Sequence, residues 1–381
     1  MQDIPFHRVY HTPKSENYIK EAIASRGLAG DGAFTARCES FLKNLTGSPH
    51  VLLTSSCSTA LDISALLIDA APGDEILIPS YTFVTTANAF YSQGARPVFV
   101  DIEPDTMNID PDHAEALITS KTKAIVPMHY GGVGCEMDRI MDLAQKYKLW
   151  VIEDAAQAVN GYYNEQHLGT FGDLGTFSFH ETKNIVAGEG GALLINNPDL
   201  YKRAEIIREK GTDRKLFLQG MVDKYSWRDV GSSFVMSELQ AAYLLGQLEA
   251  HHDIKTARKK LHDAYSTAFK DTIARGRLTV QNIPENCDPS YHLFYILLPD
   301  AGQRRSFMKQ LKESGIHTTF HYVPLHTSTV GQKLGWKTGD LPVTEDLWAR
   351  LVRLPLYPDL HNNQHKSVAQ ASFKAFDTIE L

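Results

Sequence analysis

The chain has 381 residues, 43% of them hydrophobic and 22% charged, and a formal net charge of −7. That length can bury two substantial cores, and the composition is that of an ordinary soluble globular protein. Nucleic-acid and membrane surfaces are met with concentrated positive charge, so neither partner is expected, and an anionic ligand must be held by local donors against a repulsive net field.

Cys38, Cys57, Cys135 and Cys287 are scattered, with no C-x-x-C pair. This speaks against a disulfide framework or a zinc site and suits a reducing cytosol. The opening MQDIPFHRVYHTPKSENY has no apolar stretch behind a basic start, and runs such as Ile76–Pro79 and Ala124–Met128 are too short to span a bilayer. A cytoplasmic protein without a bound metal is the expectation.

From about residue 50 to 200, short β-rich runs alternate with helical patterns. Strands are predicted at Val51–Thr54, Glu75–Pro79, Pro97–Val100, Ala124–Pro127, Trp150–Glu153, Thr176–Phe179 and Ala192–Ile195. Helical periodicity falls between many of them, at Ser58–Asp69, Pro111–Ile118 and Glu136–Lys146. Continuous apolar strands separated by helices predict an α/β fold with a mostly parallel sheet covered on both faces. Ligands bind such sheets beyond the carboxyl ends of the strands. Further on, Ser237 and Gln240 have capping-box spacing, and Leu239, Ala242, Tyr243 and Gly246 share a helix face. The helical pattern continues through Lys255–Lys260, as one long helix joining two domains. Strands at Tyr291–Leu298 and Thr318–Val323 and a helix at Gln303–Ser314 complete the reading. The expected organisation is a large domain over residues 1–250 and a smaller α/β domain over 251–381.

Three features carry chemistry. Gly175-Thr-Phe-Ser-Phe-His-Glu-Thr-Lys183-Asn184 places Lys183 in a loop beyond a strand end, followed by Gly188-Glu-Gly-Gly191. A lysine that bonds a carbonyl must be reachable and must spend time neutral, which partial burial promotes; otherwise it is one more solvated surface lysine. Asp154 ends a buried strand where cofactors bind, unless it merely caps a following helix. Thr54-Ser-Ser-Cys-Ser-Thr-Ala-Leu61 joins a strand to a helix whose first N–H groups and hydroxyls can cradle a phosphate, or serve as an ordinary N-cap. Taken together they fit pyridoxal phosphate, which needs an amine for its aldehyde, an acid for its ring nitrogen and an anion cradle.

These residues stand with Pro72-Gly-Asp-Glu75, Pro79-Ser-Tyr-Thr-Phe-Val-Thr-Thr-Ala-Asn88, Glu153-Asp-Ala-Ala-Gln157, Ser178-Phe-His-x-x-Lys183 and Met236-Ser-Glu-Leu-Gln-Ala-Ala242. In order and spacing the set resembles the DegT/StrS-type nucleotide-sugar aminotransferases. The resemblance implies an aspartate-aminotransferase-type fold (fold type I) and a homodimer with active sites at the subunit interface. It also implies Lys183 as the cofactor-bonding lysine, Asp154 as the ring-nitrogen partner and Gln157 as the hydrogen-bond donor to the phenolic oxygen. Phe83 would stack on the ring, where the residues alone allow a plain core aromatic. Ser56, Cys57 and Ser58, with Ser178, would surround the phosphate. Two departures are visible: many relatives have Asn-Gly-Thr in place of Ser56-Cys57-Ser58, and a G-x-N asparagine from the partner subunit where this chain has Gly231-Ser232-Ser233. Ser233 would take that asparagine's place. His321 and His326 resemble a substrate-facing segment, with a structural histidine as the alternative, and Arg228 is the candidate for the substrate diphosphate. Gly30–Gly32, His129-Tyr130, Glu136–Asp138, Arg208–Thr212 and Asp223–Asp229 are most similar to members that aminate C4 of a dTDP-linked keto-sugar with L-glutamate. A sugar 3-dehydratase, whose relatives carry histidine at the position of Lys183, and a non-catalytic regulator are the competing readings.

Overall fold

The computed structural model describes residues 3–218 and 220–379. Seven strands form the central sheet: β1 (His50–Thr54), β2 (Glu75–Pro79), β3 (Arg96–Val100), β4 (Thr122–Ile125), β5 (Trp150–Asp154), β8 (Leu174–Ser178) and β9 (Gly191–Ile195), in the order β1-β9-β8-β5-β4-β2-β3. All neighbours are parallel except β9, which runs antiparallel between β1 and β8. A hairpin of β6 (Tyr162–Tyr163) and β7 (Gln166–His167) turns at Asn164 and Glu165, both at positive φ, and is extended by β11 (Cys287–Asp288). The third sheet is antiparallel: β10 (Thr279–Val280), β12 (Phe294–Leu297) and β13 (Leu351–Leu354), in the order β10-β12-β13.

Strand pleating divides the apolar residues between two cores. Leu53, Leu77, Ile125 and Val151 pack on one face with Leu42, Ile140 and Leu245. Leu52, Ile76, Ile78 and Ile152 pack on the other with Leu61, Ile63 and Phe90. A third core gathers Tyr265, Phe269, Phe294, Phe307 and Phe376 around the antiparallel sheet. The N-terminal segment reaches it too, since Ile4 pairs with Ile316 and is buried there.

Two expectations are corrected. The long helix is two helices, Glu238–Glu249 and His251–Ala274, separated at Ala250 where ψ is 6°. The Ser237–Gln240 capping box is present, but neither proline nor glycine marks the break, so the helical pattern reads through it. Thr318–Val323 is not a strand. Only Thr319 pairs with Arg353 of β13, after which His321 and Tyr322 turn into a cavity with their rings stacked 4.1 Å apart. The predicted strand Tyr291–Leu298 shortens to β12.

Candidate active site

The carboxyl ends of β5 and β8 open into a cavity of about 560 Å³. Its other walls come from the loop after β2, the N-terminus of the helix Cys57–Leu67, residues 319–322 and β13. Lys183 lies on this cavity in a turn closed by its own N–H donating to the His180 carbonyl at 2.9 Å. The neighbouring Asn184 fixes the turn, donating to the Ser290 carbonyl at 2.8 Å while its Oδ1 lies 3.0 Å from Nδ1 of His292. Burial pushes the Lys183 amine below its ordinary value of 10.5; Cys57 and Asp154 oppose that shift, and the charge of Arg353 adds to it. The amine is therefore neutral more often than a surface lysine's, which nucleophilic attack requires.

Asp154, only 4% exposed, ends β5. No helix follows, so the helix-cap alternative is overturned. One carboxylate oxygen accepts the Ala156 N–H at 3.1 Å, forming a local turn, and the other accepts the Thr86 hydroxyl at 2.6 Å. The remaining acceptor capacity of this carboxylate faces the cavity. Gln157 is oriented by chemistry: the Gly131 N–H, which can only donate, is 2.7 Å from Oε1, so Nε2 must be the end that reaches the Tyr322 hydroxyl at 2.8 Å. A second Nε2 proton remains available.

The helix Cys57–Leu67 begins at the same cavity with Ser56 as N-cap, its hydroxyl accepting from the Thr59 N–H at 3.1 Å. The Cys57 and Ser58 N–H groups belong to the first turn and have no intrahelical acceptor. Gly191 of β9 makes this approach possible: a Cβ there would lie 2.4 Å from the Cys57 nitrogen. Burial pushes the Cys57 thiol well up, so it is neutral and contributes no negative charge against an anion. Ser178, at the end of β8, also lines the cavity. Phe83 does so too, and at 54% exposure it is no core residue.

Ser56, Cys57, Ser58, Phe83, Asp154, Gln157, Ser178, Lys183 and His321 thus meet in one cavity. Three sequence candidates lie elsewhere. His326 is fully buried, with Nδ1 2.7 Å from the Ser80 hydroxyl and Nε2 2.8 Å from Glu345. Arg228 pairs with Asp213 at 2.6 Å, and Ser233 is an exposed residue bridged to Glu209. Sequence reading missed Thr86, Arg258, His292, Tyr322 and Arg353. Thr86 sits inside the 79–88 motif, and Arg353 interrupts the otherwise apolar Leu351-Val-Arg-Leu354, a legible oddity.

The comparisons with known proteins agree with this geometry. A profile described as the DegT/DnrJ/EryC1/StrS aminotransferase family matches residues 10–372. The chain belongs to that family. It is 35% identical to the pleiotropic regulatory protein of Geobacillus stearothermophilus, with 91% of this chain and 90% of that one aligned. It is 31% identical to GDP-perosamine synthase of Escherichia coli O157:H7, over 96% of each. Among solved structures, the putative sugar aminotransferase Spr1654 from Streptococcus pneumoniae in its PMP form superposes with a TM-score of 0.93 at 25% identity, covering 100% of this chain and 99% of that one. Its PLP form gives a TM-score of 0.92. The fold is the type I fold of pyridoxal-phosphate-dependent sugar aminotransferases, and the chain is a nucleotide-sugar aminotransferase with that cofactor. The residues fit it: a partly neutral amine, a buried carboxylate with spare acceptor capacity and a first-turn anion cradle share one cavity. No helix of the described residues is long and apolar enough to cross a membrane.

Because only the neutral amine can bond the cofactor's aldehyde, the depressed Lys183 pKa shifts capture to lower pH. The rate at which cofactor-free protein takes up pyridoxal phosphate, followed by absorbance, should level off below pH 10.5, the ordinary lysine value. A profile that rises until that value would contradict the burial argument.

Proposed function

We propose that this enzyme transfers the amino group of L-glutamate to C4 of dTDP-4-keto-6-deoxy-D-glucose. The products are dTDP-4-amino-4,6-dideoxy-D-galactose and 2-oxoglutarate. The observation that carries the aminotransferase chemistry is the meeting of Lys183, Asp154 and the Ser56–Ser58 turn in one cavity. A lysine at position 183 also speaks against the 3-dehydratase reading, and a complete site speaks against a purely regulatory one, although one relative is named as a regulator.

Bound pyridoxal phosphate supplies an aldehyde for the donor's amine and a ring that takes up the electrons of the broken C–H bond. Lys183 would hold the cofactor through its Nζ. The same Nζ would move the proton, as general base towards the donor's Cα and as general acid towards C4 of the sugar. Asp154, steadied by the hydroxyl of Thr86 and the Ala156 N–H, would keep a proton on the ring nitrogen. Gln157 would donate to the phenolic oxygen, Phe83 would pack against the ring, and Ser56, Cys57, Ser58 and Ser178 would hold the phosphate. Ser233 serves the partner's phosphate site, and Arg228 and His321 meet the sugar nucleotide.

The choice of C4 rests on the likeness at Gly30–Gly32, Glu136–Asp138 and Asp223–Asp229. Lys183 stands on one side of the cofactor, so the bound orientation of the sugar decides whether the amine ends axial or equatorial. Incubation with dTDP-4-keto-6-deoxy-D-glucose and L-glutamate should give an axial 4-amine by NMR. An equatorial amine overturns the configuration, and a 3-amino product from a 3-keto substrate overturns the regiochemistry.

Asp154→Asn removes charge while keeping shape. Cofactor binding should survive, and turnover should fall by at least about 10²-fold, a few kcal/mol of transition-state stabilisation. Near-normal turnover would leave Asp154 a turn-forming residue only.

We also propose an obligate homodimer with shared sites. Trp227 is 83% exposed and Met221 69%, in a segment that carries Ser233 at its end and does not line the active-site cavity of its own chain. An interface of roughly 2,000 Å² or more is expected. Mixing Lys183→Ala subunits with subunits disrupted at Trp227–Ser233 should restore activity in hybrids, whereas an active monomer in sedimentation would contradict the shared site.

A further inference from the structure

Tyr322 lines the active-site cavity and has no role assigned so far. Its ring is held from several sides. It stacks on His321 at 4.1 Å, meets Tyr81 edge-on at 5.7 Å, and has the tilted ring of Phe83 at 6.2 Å. Its hydroxyl lies 2.8 Å from Nε2 of Gln157. Because the Gly131 N–H fixes Oε1 of that amide as an acceptor, Nε2 is the donor in this contact and Tyr322 the acceptor. The phenol's own proton is therefore unspent, and it has no acceptor among the described residues. Loss of solvation, and after it the nearby Tyr130, push the phenol's pKa well up, so the group keeps its proton and can offer it. A side chain so firmly placed, with a free donor at a cavity wall, is a recognition group for a ligand.

The cofactor's phenolic oxygen is not that ligand atom. It takes the second Nε2 proton of Gln157, and the two N–H bonds of an amide nitrogen diverge by about 120°, so their acceptors lie about 5 Å apart. That is beyond hydrogen-bond reach. In pyridoxal phosphate the phenolic oxygen sits on the ring carbon next to the one that carries the aldehyde. A donor that shares Gln157 with it therefore serves the substrate atoms that meet this aldehyde carbon. A neutral phenol is a weak partner for an anion in a cavity that also holds Arg258, Arg353 and Lys183, so the group it suits is an uncharged oxygen. L-glutamate has no hydroxyl. A keto-sugar has one on the carbon beside its carbonyl.

We propose that Tyr322 sets specificity in the sugar half of the reaction by donating a hydrogen bond to the hydroxyl next to the reacting carbonyl, the 3-hydroxyl of a 4-keto-6-deoxyhexose. This rests on the sugar-aminotransferase reading of the site and on Gln157 meeting the phenolic oxygen, and the test separates it from both.

Stopped-flow absorbance follows the two half-reactions apart: the loaded enzyme with L-glutamate, then its pyridoxamine form with the keto-sugar. Tyr322→Phe keeps the ring, and Gly131 still orients Gln157. The glutamate half should change by less than about 3-fold, while kcat/KM for dTDP-4-keto-6-deoxy-D-glucose should fall about 10- to 100-fold, the loss for a hydrogen bond whose partner is left unpaired. The 3-deoxy analogue of that sugar should cost the natural chain a similar factor, and with it Tyr322→Phe should differ from the natural chain by less than about 3-fold, the partner being already gone. Equal loss in both half-reactions overturns the proposal and makes Tyr322 a support for Gln157. Equal loss with both sugars overturns it too, since the hydroxyl is then not what Tyr322 reads. If Tyr322→Phe does not fold, the natural chain decides alone: equal use of the parent and the 3-deoxy sugar overturns the proposal. All three results leave the sugar reading standing. A natural chain that completes the glutamate half yet aminates neither sugar overturns the sugar reading, and this proposal with it.

Discussion

Residues 153 and 154 stand together at the carboxyl end of the middle strand of the central sheet, and strand pleating sends their carboxylates to opposite faces. Glu153 is fully buried and accepts the N–H groups of Gly169, Phe171 and Gly172 at 2.7, 2.7 and 2.8 Å, with Nε2 of His129 at 2.9 Å. It thereby ties down the loop that feeds β8, the strand that ends at Ser178 just before Lys183. Asp154 faces the other way, towards the cavity and Thr86. One carboxylate is spent on placing the lysine's strand and the other stays available to a ligand. Removing Glu153 would strand three N–H donors, two of them buried, so the site's geometry depends on a residue that touches none of its chemistry.

The same division explains how a chain of net charge −7 builds a site for anions. Position, not total charge, decides. The first-turn N–H groups after Ser56, the amine of Lys183 and the guanidiniums of Arg258 and Arg353 converge where water is thin and interactions are weakly screened. Asp154 is the buried counter-charge at this floor. Burial pushes Arg258 down to about 9. The site thus holds its cations at a cost in solvation, which a bound anion offsets.

Lys183, Asp154 and Ser56–Ser58 were legible because each sits at a junction of strand with loop or helix, where local sequence fixes position relative to the sheet edge. Thr86 lies in a motif read from the sequence, but its bond to Asp154 spans 68 positions and needs the fold. Tyr322 and Arg353 come from a segment and a strand of the C-terminal part, and nothing local says that they meet Gln157 and His321. His321 and His326 show the limit most directly. They are the same residue type in one short segment, yet the first lies on the cavity and the second is satisfied between Ser80 and Glu345. The segment's bend there, in place of the expected strand, separates them. Alternation in sequence cannot reveal it, because Thr319 alone pairs with β13.

Neutral imidazoles complete the electrostatic design. Burial is the largest influence lowering both His292 and His321, and Lys183 and Arg353 push each of them further down. Both rings are therefore neutral at pH 7. Protonating either would place a further positive charge among Lys183, Arg258 and Arg353, with no carboxylate bonded to either ring among the described residues. As neutral groups they act differently: His292 donates from Nδ1 to Oδ1 of Asn184 and so holds the turn of Lys183, while the ring of His321 accepts from Arg353. Each cationic group of the reaction is thus aimed by an uncharged ring, which orients without neutralising. A carboxylate in place of His321 would orient the arginine as well, but it would form an ion pair with it and raise the lysine's pKa. An uncharged ring, donating at position 292 and accepting at position 321, leaves the amine nucleophilic and the guanidinium outside an ion pair.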